Sequence, residues 1–183
     1  MEDSARSDLL ASLRFLSKKG EFILASGKNS DWYLDCRPAM ASYHTLRIAS
    51  DALVEAAQKL KLPILGGPAT AAVSLMAAAL VSDDESPDCY IYTRAKTKDH
   101  GTGQAVEGPK LGESPRVLLV DDVLTSGGSL LKCAEAIKEI YPDVEFVGAW
   151  VLVDRLQGGR ENLKEHGIEV QSLYTRKDIL EEE

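Results

Sequence analysis

Apolar and polar positions repeat with two different periods along the chain, and the changes of period predict its elements. Residues 4–19 and 43–60 carry apolar side chains at helical spacing, and the first of these helices is predicted to end at Gly20. Between them, residues 22–24 and 32–34 are short apolar runs on either side of a polar segment, which is typical of two strands joined by a turn. The first third of the chain is therefore predicted as helix, strand, strand, helix.

From residue 64 onward, predicted strands alternate with predicted helices. Strands are expected at 64–65, 89–93, 117–120, 146–153 and 168–174. One helix is expected after the segment 66–72, ending at about Val81, and two more are expected over 128–141 and 159–166. The segment 146–153 has eight residues without a polar side chain, which suits a central strand buried on both faces. The alternation predicts an α/β fold with a parallel sheet covered by helices on both sides. Ligands bind such sheets beyond the carboxyl ends of the strands, so the loops after strands are where a site is expected.

Length, charge and cysteine usage exclude several classes of protein. The 183 residues suit one domain, and the net charge of −8, from 21 basic and 29 acidic residues, argues against a nucleic-acid partner. No apolar run approaches the roughly 20 residues of a membrane span, so no membrane partner is expected. The three cysteines (Cys36, Cys89 and Cys133) are odd in number and have no metal-site spacing, which favours a reducing cytoplasm.

The segment VLLVDDVLTSGGS, residues 117–129, carries the strongest chemical signal. Its apolar strand leads into Asp121 and Asp122, and the small residues 125–129 open a helix. Backbone N–H groups of such a loop and of a helix N-terminus bind anions, phosphate above all, and glycine lets the backbone approach the ligand closely. The two carboxylates suit sugar hydroxyls or a hard cation such as Mg²⁺. The combination indicates a phosphorylated ribose; the alternative is a strand, an Asx-type turn and a helix cap with exposed acids.

This segment resembles the phosphoribosyl-diphosphate (PRPP) signature of the type I phosphoribosyltransferases. Three further segments resemble the orotate phosphoribosyltransferase family within that group. They are FILASGKNSDWYLDCR at 22–37, similar to the family's N-terminal hood, RAKTKDHGTGQAVEG at 94–108, similar to its mobile catalytic loop, and VDRLQGGRENL at 153–163, similar to its orotate-binding segment. The four segments follow the family's order and span about residues 20 to 175.

The resemblance implies the type I phosphoribosyltransferase fold, a central, mostly parallel sheet flanked by helices. Residues 1–183 would form one domain, with a hood from about 1–40 and the C-terminal segment, and a core over about 43–155. The implied reaction is the Mg²⁺-dependent transfer of phosphoribose from PRPP to orotate, giving orotidine 5′-monophosphate and pyrophosphate in pyrimidine biosynthesis. The family also implies a homodimer in which the loop 94–108 acts in the neighbouring site.

The resemblance also implies roles for individual residues. Lys98, His100 and Asp122 would be catalytic. PRPP would be bound by Thr70, Ala71, Arg94, Lys98, His100, Asp121, Asp122, Val123, Leu124, Thr125, Ser126, Gly127, Gly128 and Ser129. Orotate would be bound by Thr125, Arg155, Lys28 and Tyr33, with Arg155 matching the orotate carboxylate. Magnesium would be carried by the PRPP diphosphate, with Asp121 as the candidate protein ligand.

The charge distribution agrees with a role for the loop at 94–110. It has four basic residues against two acidic ones, a charge of +2, which leaves −10 on the rest of the chain. Cations at this place would stabilise the negative charge that develops on departing pyrophosphate, and a glycine-flanked loop can close over the site and exclude water. The alternative is a solvated surface loop.

Three departures from the family pattern leave other functions open. Many orotate enzymes have a second lysine where this chain has Ala95, and relatives usually have glycine, sometimes with lysine, near Ala71 and Ala72. The segment GGPATAA at 66–72 would then be only a strand–helix turn with Pro68 near the helix start. One alternative is a phosphoribosyltransferase for another base, and the other is a non-catalytic protein that senses PRPP or a nucleotide. Arg155 could equally be an exposed charge at a strand end.

Overall fold

The structure is a computed structural model and describes residues 3–23, 29–82, 85–94 and 105–181. Helices and strands follow one another in the order α1 (Asp3–Leu16), β1 (Lys18–Ile23), β2 (Asn29–Tyr33), α2 (Arg37–Met40), α3 (Tyr43–Lys59), β3 (Ile64–Pro68), α4 (Ala71–Ala79), β4 (Tyr90–Thr93), β5 (Val106–Glu107), β6 (Arg116–Leu124), α5 (Gly128–Ile140), β7 (Glu145–Asp154), α6 (Gly159–Glu165), β8 (Val170–Thr175) and α7 (Arg176–Leu180).

Six of these strands form a central sheet in the order β5-β4-β3-β6-β7-β8. All neighbours pair in parallel except the short edge strand β5, which runs antiparallel to β4. Strand β6 lies between β3 and β7, so its carboxyl end is near the middle of the edge where ligands of such sheets bind. The predicted mostly parallel α/β sheet is confirmed, and the hairpin of β1 and β2 forms a separate antiparallel sheet.

Apolar side chains cover both faces of the sheet. From β7, Trp150 and Leu152 join one cluster together with side chains of α1, α3 and α4, whereas Ala149 and Val151 join the opposite cluster with side chains of α5 and α6. Successive strand residues point to opposite faces, so this division is what a strand covered on both sides requires. The expectation drawn from the apolar segment 146–153 is confirmed.

Several strands are longer than their apolar runs predicted, and β6 and β3 are the two that bear on the site. Strand β6 continues through Asp121 and Asp122, because its pairing with β7 extends to Leu124 opposite Asp154. The predicted loop at residues 66–72 begins later than expected, since β3 pairs with β4 as far as Pro68. Pro68 therefore ends a strand and does not start the helix, which begins at Ala71. In both cases the pairing partner is distant in sequence, so the local pattern carried no sign of it.

The N-terminal helix is shorter than predicted, and two short helices were missed. Helix α1 ends at Leu16, where the Ser17 hydroxyl donates a hydrogen bond to the Arg14 carbonyl, and the chain continues directly into β1. Helix α7 has a capping box between Thr175 and Asp178, which is a signal that the sequence does contain. Helix α2 has only four residues, too few for a periodic pattern.

Strand β3 packs unusually tightly against its surroundings at Gly67. A Cβ atom at this position would lie 2.4 Å from the carbonyl oxygen of Val120 and 2.9 Å from the Cβ of Ala72. Only glycine lets β3, β6 and α4 approach one another so closely. Among the described residues, no helix combines the length and the apolar character of a membrane-spanning segment.

Candidate active site

A cavity of about 520 Å³ opens at the carboxyl end of β6, between the hood hairpin and the start of α5. Its described lining residues are Ile23, Tyr33, Asp121, Val123, Leu124, Thr125, Ser126, Gly127, Gly128, Ser129, Leu130, Lys132 and Arg155. The cavity thus brings together predicted site residues from three separate segments of the chain: the hood, the glycine-containing loop and the end of β7.

The loop at 125–129 has the conformation that an anion site needs. Gly127 precedes the helix with a φ of 79°, in the left-handed region where a side chain would be strained. The first helical hydrogen bond runs from the Leu131 N–H to the Gly127 carbonyl at 3.0 Å. The preceding N–H groups of the first turn have no partner inside the helix, and the helix dipole adds positive potential there. Backbone and hydroxyl donors therefore meet at one end of the cavity.

The two carboxylates of β6 have different surroundings. Each accepts a backbone hydrogen bond from the next residue, Asp121 from the Asp122 N–H and Asp122 from the Val123 N–H, both at 2.9 Å. Burial raises the pKa of Asp121 well above its usual range, and the charge of Asp122 adds to that shift. Burial also raises the pKa of Asp122. Asp121 lines the cavity, whereas Asp122 is not among its described lining residues. The role of Asp122 stays a prediction.

Arg155 is a buried cation that also lines the cavity. It is only 3% exposed, so the alternative of a surface charge is wrong. Its Nη2 donates hydrogen bonds to the Trp32 carbonyl at 2.7 Å and to the Ser30 hydroxyl at 3.1 Å, and its guanidinium carbon lies 4.5 Å from the centre of the Trp32 ring. These described partners are neutral, and its buried Nε has no hydrogen-bond partner among the described residues. A guanidinium in this state is suited to a ligand carboxylate.

The chain around Arg155 is held by several contacts. The Arg155 N–H donates to the Leu124 carbonyl at 2.9 Å, which joins the ends of β7 and β6. The buried carboxylate of Asp154 accepts a hydrogen bond from the Leu156 N–H at 2.8 Å and pairs with Arg160 at 3.0 Å. Two sets of contacts therefore fix the position of Arg155. Its backbone is held by the hydrogen bond to Leu124, and its guanidinium is held by Ser30 and Trp32.

The hood is fastened to the C-terminal segment through Arg176. Two hydrogen bonds of 3.0 Å each join Arg176 to Asp31, and the Arg176 guanidinium carbon lies 5.6 Å from the centre of the Trp32 ring. The hydrogen bond from Arg176 lowers the pKa of Asp31. These contacts join the β1–β2 hairpin to the segment that follows β8, and the division into hood and core stays a prediction.

Tyr33 lines the cavity, with its ring centre 5.5 Å from that of Phe22, and its contact with orotate stays a prediction. Lys28 lies outside the described residues. Ile23 is an unexpected lining residue whose side chain is 80% exposed, although the sequence pattern placed it in an ordinary apolar strand.

Three described residues predicted to bind pyrophosphate follow β3 or β4 at the same edge of the sheet and are not among the described lining residues of this cavity: Thr70, Ala71 and Arg94. Thr70 and Ala71 stand where α4 begins after β3, and the Ala69–Thr70 peptide bond is cis. Arg94 follows β4, and its Nε lies 3.0 Å from a carboxylate oxygen of Glu107. Lys98 and His100 lie outside the described residues. The roles of these residues in binding pyrophosphate stay predictions.

Two residues near the loop were missed by sequence reasoning. Lys132 lines the cavity from α5, three positions after Ser129, and this helical spacing could have identified it. Asn162 of α6 donates a hydrogen bond of 2.7 Å to the Ser126 carbonyl. The two residues are 36 positions apart, and no local pattern connects them.

Comparison with known proteins supports the family resemblance found in the sequence. The phosphoribosyl transferase domain model matches residues 48–173. The orotate phosphoribosyltransferase of Pyrococcus abyssi is 37% identical over 166 residues, which cover 90% of this chain and 88% of that protein. The corresponding protein of Methanopyrus kandleri is 39% identical over 165 residues, with 88% and 84% covered.

Solved structures of this kind share the fold. The crystal structure of orotate phosphoribosyltransferase from Aeropyrum pernix has a TM-score of 0.76 at 30% identity, and the match covers 96% of this chain and 97% of that one. The Mycobacterium tuberculosis enzyme in complex with PRPP has a TM-score of 0.77 with 98% and 93% covered, and at 22% identity it supports the fold alone. Sequence, fold and site agree, and the chain belongs to the orotate phosphoribosyltransferase family.

Proposed function

We propose that this protein transfers the phosphoribosyl group of PRPP to N1 of orotate, forming orotidine 5′-monophosphate and pyrophosphate. The observation that carries the proposal is a single cavity lined both by the loop 125–129, with its backbone and hydroxyl donors, and by the buried Arg155 guanidinium. A substrate pair that brings a phosphate and a carboxylate matches these two groups. The named relatives support the same reaction.

Each part of the cavity has a proposed partner on the substrates. The loop 125–129 binds the 5′-phosphate through backbone N–H groups and hydroxyls. Asp121 accepts hydrogen bonds from the ribose hydroxyls, with Asp122 as its neighbour on β6. Arg155 binds the orotate carboxylate with two parallel hydrogen bonds, and Tyr33 and Thr125 contact the base.

Catalysis then consists of positioning and charge stabilisation. The C1–oxygen bond of PRPP breaks with its electron pair on pyrophosphate, and N1 of orotate bonds to C1 as its proton passes to an oxygen of the departing pyrophosphate. Arg94, Lys98 and His100 stabilise the charge on pyrophosphate. Arg155 and the loop 125–129 hold the two reactants in line, which lowers the entropic part of the barrier.

Magnesium is the cofactor that we propose. The donors fit it, since Asp121 lines the cavity and carboxylate and phosphate oxygens are the ligands that Mg²⁺ prefers. The described residues place no group of three metal-ligating side chains together. We propose that PRPP oxygens supply most of the ligands and Asp121 the protein ligand. When bound, the cation neutralises charge on the diphosphate.

The proposal includes a homodimer in the cytoplasm, with the loop 94–108 of one protomer reaching the site of its partner. The support is the family resemblance of that loop. Three free cysteines, two of them buried, fit a reducing compartment.

A direct assay tests the reaction. When the protein is mixed with orotate, PRPP and Mg²⁺, we expect the absorbance of orotate to fall, and to stay constant when PRPP is left out. No fall, with PRPP still bound, would overturn the proposal in favour of a sensor protein. A reaction with a purine base but not with orotate would assign another substrate.

The loop 94–108 can be tested separately with Lys98→Ala. We expect kcat to fall about 100-fold or more, because one preorganised cation is lost from the departing charge, while the KM for PRPP changes far less. Lys59→Ala removes an exposed lysine from the end of α3 and is the matched control. An unchanged kcat in Lys98→Ala would remove the loop from the mechanism.

A further inference from the structure

Helix α6 packs directly behind the phosphate loop. Besides the hydrogen bond from Asn162 to the Ser126 carbonyl, a Cβ at Gly159 would lie 2.6 Å from the Thr125 carbonyl oxygen. A Cβ at Gly127 would lie 3.1 Å from the Gly159 carbonyl oxygen. Loop and helix are therefore in backbone contact, and Asn162 supplies a side-chain donor across that contact.

The direction of the Ser126 carbonyl matters for anion binding. A phosphate is held by N–H groups, and a carbonyl oxygen turned toward it would repel it. The bond to Asn162 holds this carbonyl on the α6 side of the loop, where its partner is the half-buried amide of Asn162. The N–H groups of the residues that follow Ser126 are then left for the cavity.

We propose that Asn162 is a positioning residue for the phosphate end of the site. By binding the Ser126 carbonyl, it keeps the loop 125–129 in the conformation that accepts the 5′-phosphate of PRPP. The same segment carries Arg155, whose N–H is bonded to Leu124 just before the loop. The stretch of chain that contacts the loop thus also carries a guanidinium that lines the cavity. The inference rests on the proposed function for the identity of the phosphorylated substrate.

Two substitutions test this role. Asn162→Ala removes the donor, and Asn162→Asp replaces it with an acceptor that repels the Ser126 carbonyl. We expect the KM for PRPP to rise about tenfold in the first and further in the second, because a hydrogen bond and the geometry that depends on it are lost. The value of kcat and the KM for orotate should change less than about twofold. Glu165→Ala, an exposed position on the same helix, should leave all three values unchanged.

Calorimetric binding of inorganic phosphate and of ribose 5-phosphate gives a readout without turnover. We expect both variants to lose affinity for these anions in the same ratio as their KM for PRPP rises. Wild-type affinity and wild-type KM in both variants would overturn the positioning role. A uniform fall of all kinetic values with a lowered Tm would assign Asn162 to folding alone and overturn it too.

Failure of the positioning role can be distinguished from failure of the proposed function. If the wild-type protein binds phosphate and the variants bind it more weakly, but orotate is never consumed, the positioning role stands and the proposed reaction fails. If orotate is consumed and both variants match the wild-type protein, the reaction stands and the positioning role fails.

Discussion

Arg155→Ala is expected to lower kcat/KM for orotate by about 100-fold or more, with the KM for PRPP nearly unchanged. Two hydrogen bonds between a guanidinium and a carboxylate contribute about 3 kcal/mol or more, and each 1.4 kcal/mol is about a factor of ten. The loss should be confined to orotate because Arg155 is not part of the loop 125–129, which would hold the phosphate. Steady-state kinetics with each substrate varied in turn measures it.

Two further variants sharpen this test. Arg155→Lys keeps the positive charge but loses the planar fork, so its kcat/KM for orotate should fall between those of the wild-type protein and Arg155→Ala. Arg116→Ala removes an arginine from the opposite end of β6, where it pairs with Glu145, and should leave the kinetics unchanged. A rise in the KM for PRPP as large as that for orotate would contradict the assignment of Arg155 to the base.

Gly67→Ala is expected to lower the free energy of unfolding by about 3 kcal/mol, near the upper end for overpacked core positions. The added Cβ would lie 2.4 Å from a backbone carbonyl oxygen, which cannot move aside as a flexible side chain can. For a domain of this size, that loss corresponds to a fall in Tm of roughly 6–12 °C. Thermal unfolding followed by circular dichroism measures it.

Gly112→Ala is the matched control for this variant. A Cβ at Gly112 would have no neighbour within 4 Å, so the Tm of the Gly112→Ala variant should stay close to that of the wild-type protein. Equal values of Tm for the two variants would show that β3, β6 and α4 can separate without cost, contrary to the close packing at Gly67.

Local pattern predicted most elements of this fold because the strands and helices carry their own periodicity. The β7 strand, for example, was evident from its apolar segment alone, and its burial on both faces followed from its length. Strand ends were not evident, since Asp121 and Asp122 belong to β6 only by virtue of pairing with β7. Pairing with a distant segment is a property of the folded chain, and polar residues at a strand end do not reveal it.

In the candidate site too, local features could be predicted from the sequence and long-range contacts could not. The loop 125–129 was predicted because its residue types and their order act locally, on the backbone next to them. The burial of Arg155 depends on Ser30 and Trp32, which are more than 120 positions away, so its sequence neighbourhood was compatible with an exposed charge. The contact between Asn162 and Ser126 is likewise made only by folding.

The loop 125–129 and the Arg155 side chain are supported by different parts of the molecule. The loop 125–129 rests on α6, which packs against the sheet, whereas the partners of Arg155, Ser30 and Trp32, come from the small hairpin of β1 and β2. Regions with few buried contacts open at lower free energy than the core of a domain. If the hairpin alone opened, Arg155 would lose its contacts with Ser30 and Trp32 while the phosphate site stayed formed. Selectivity for the base is therefore less robust than binding of the phosphate.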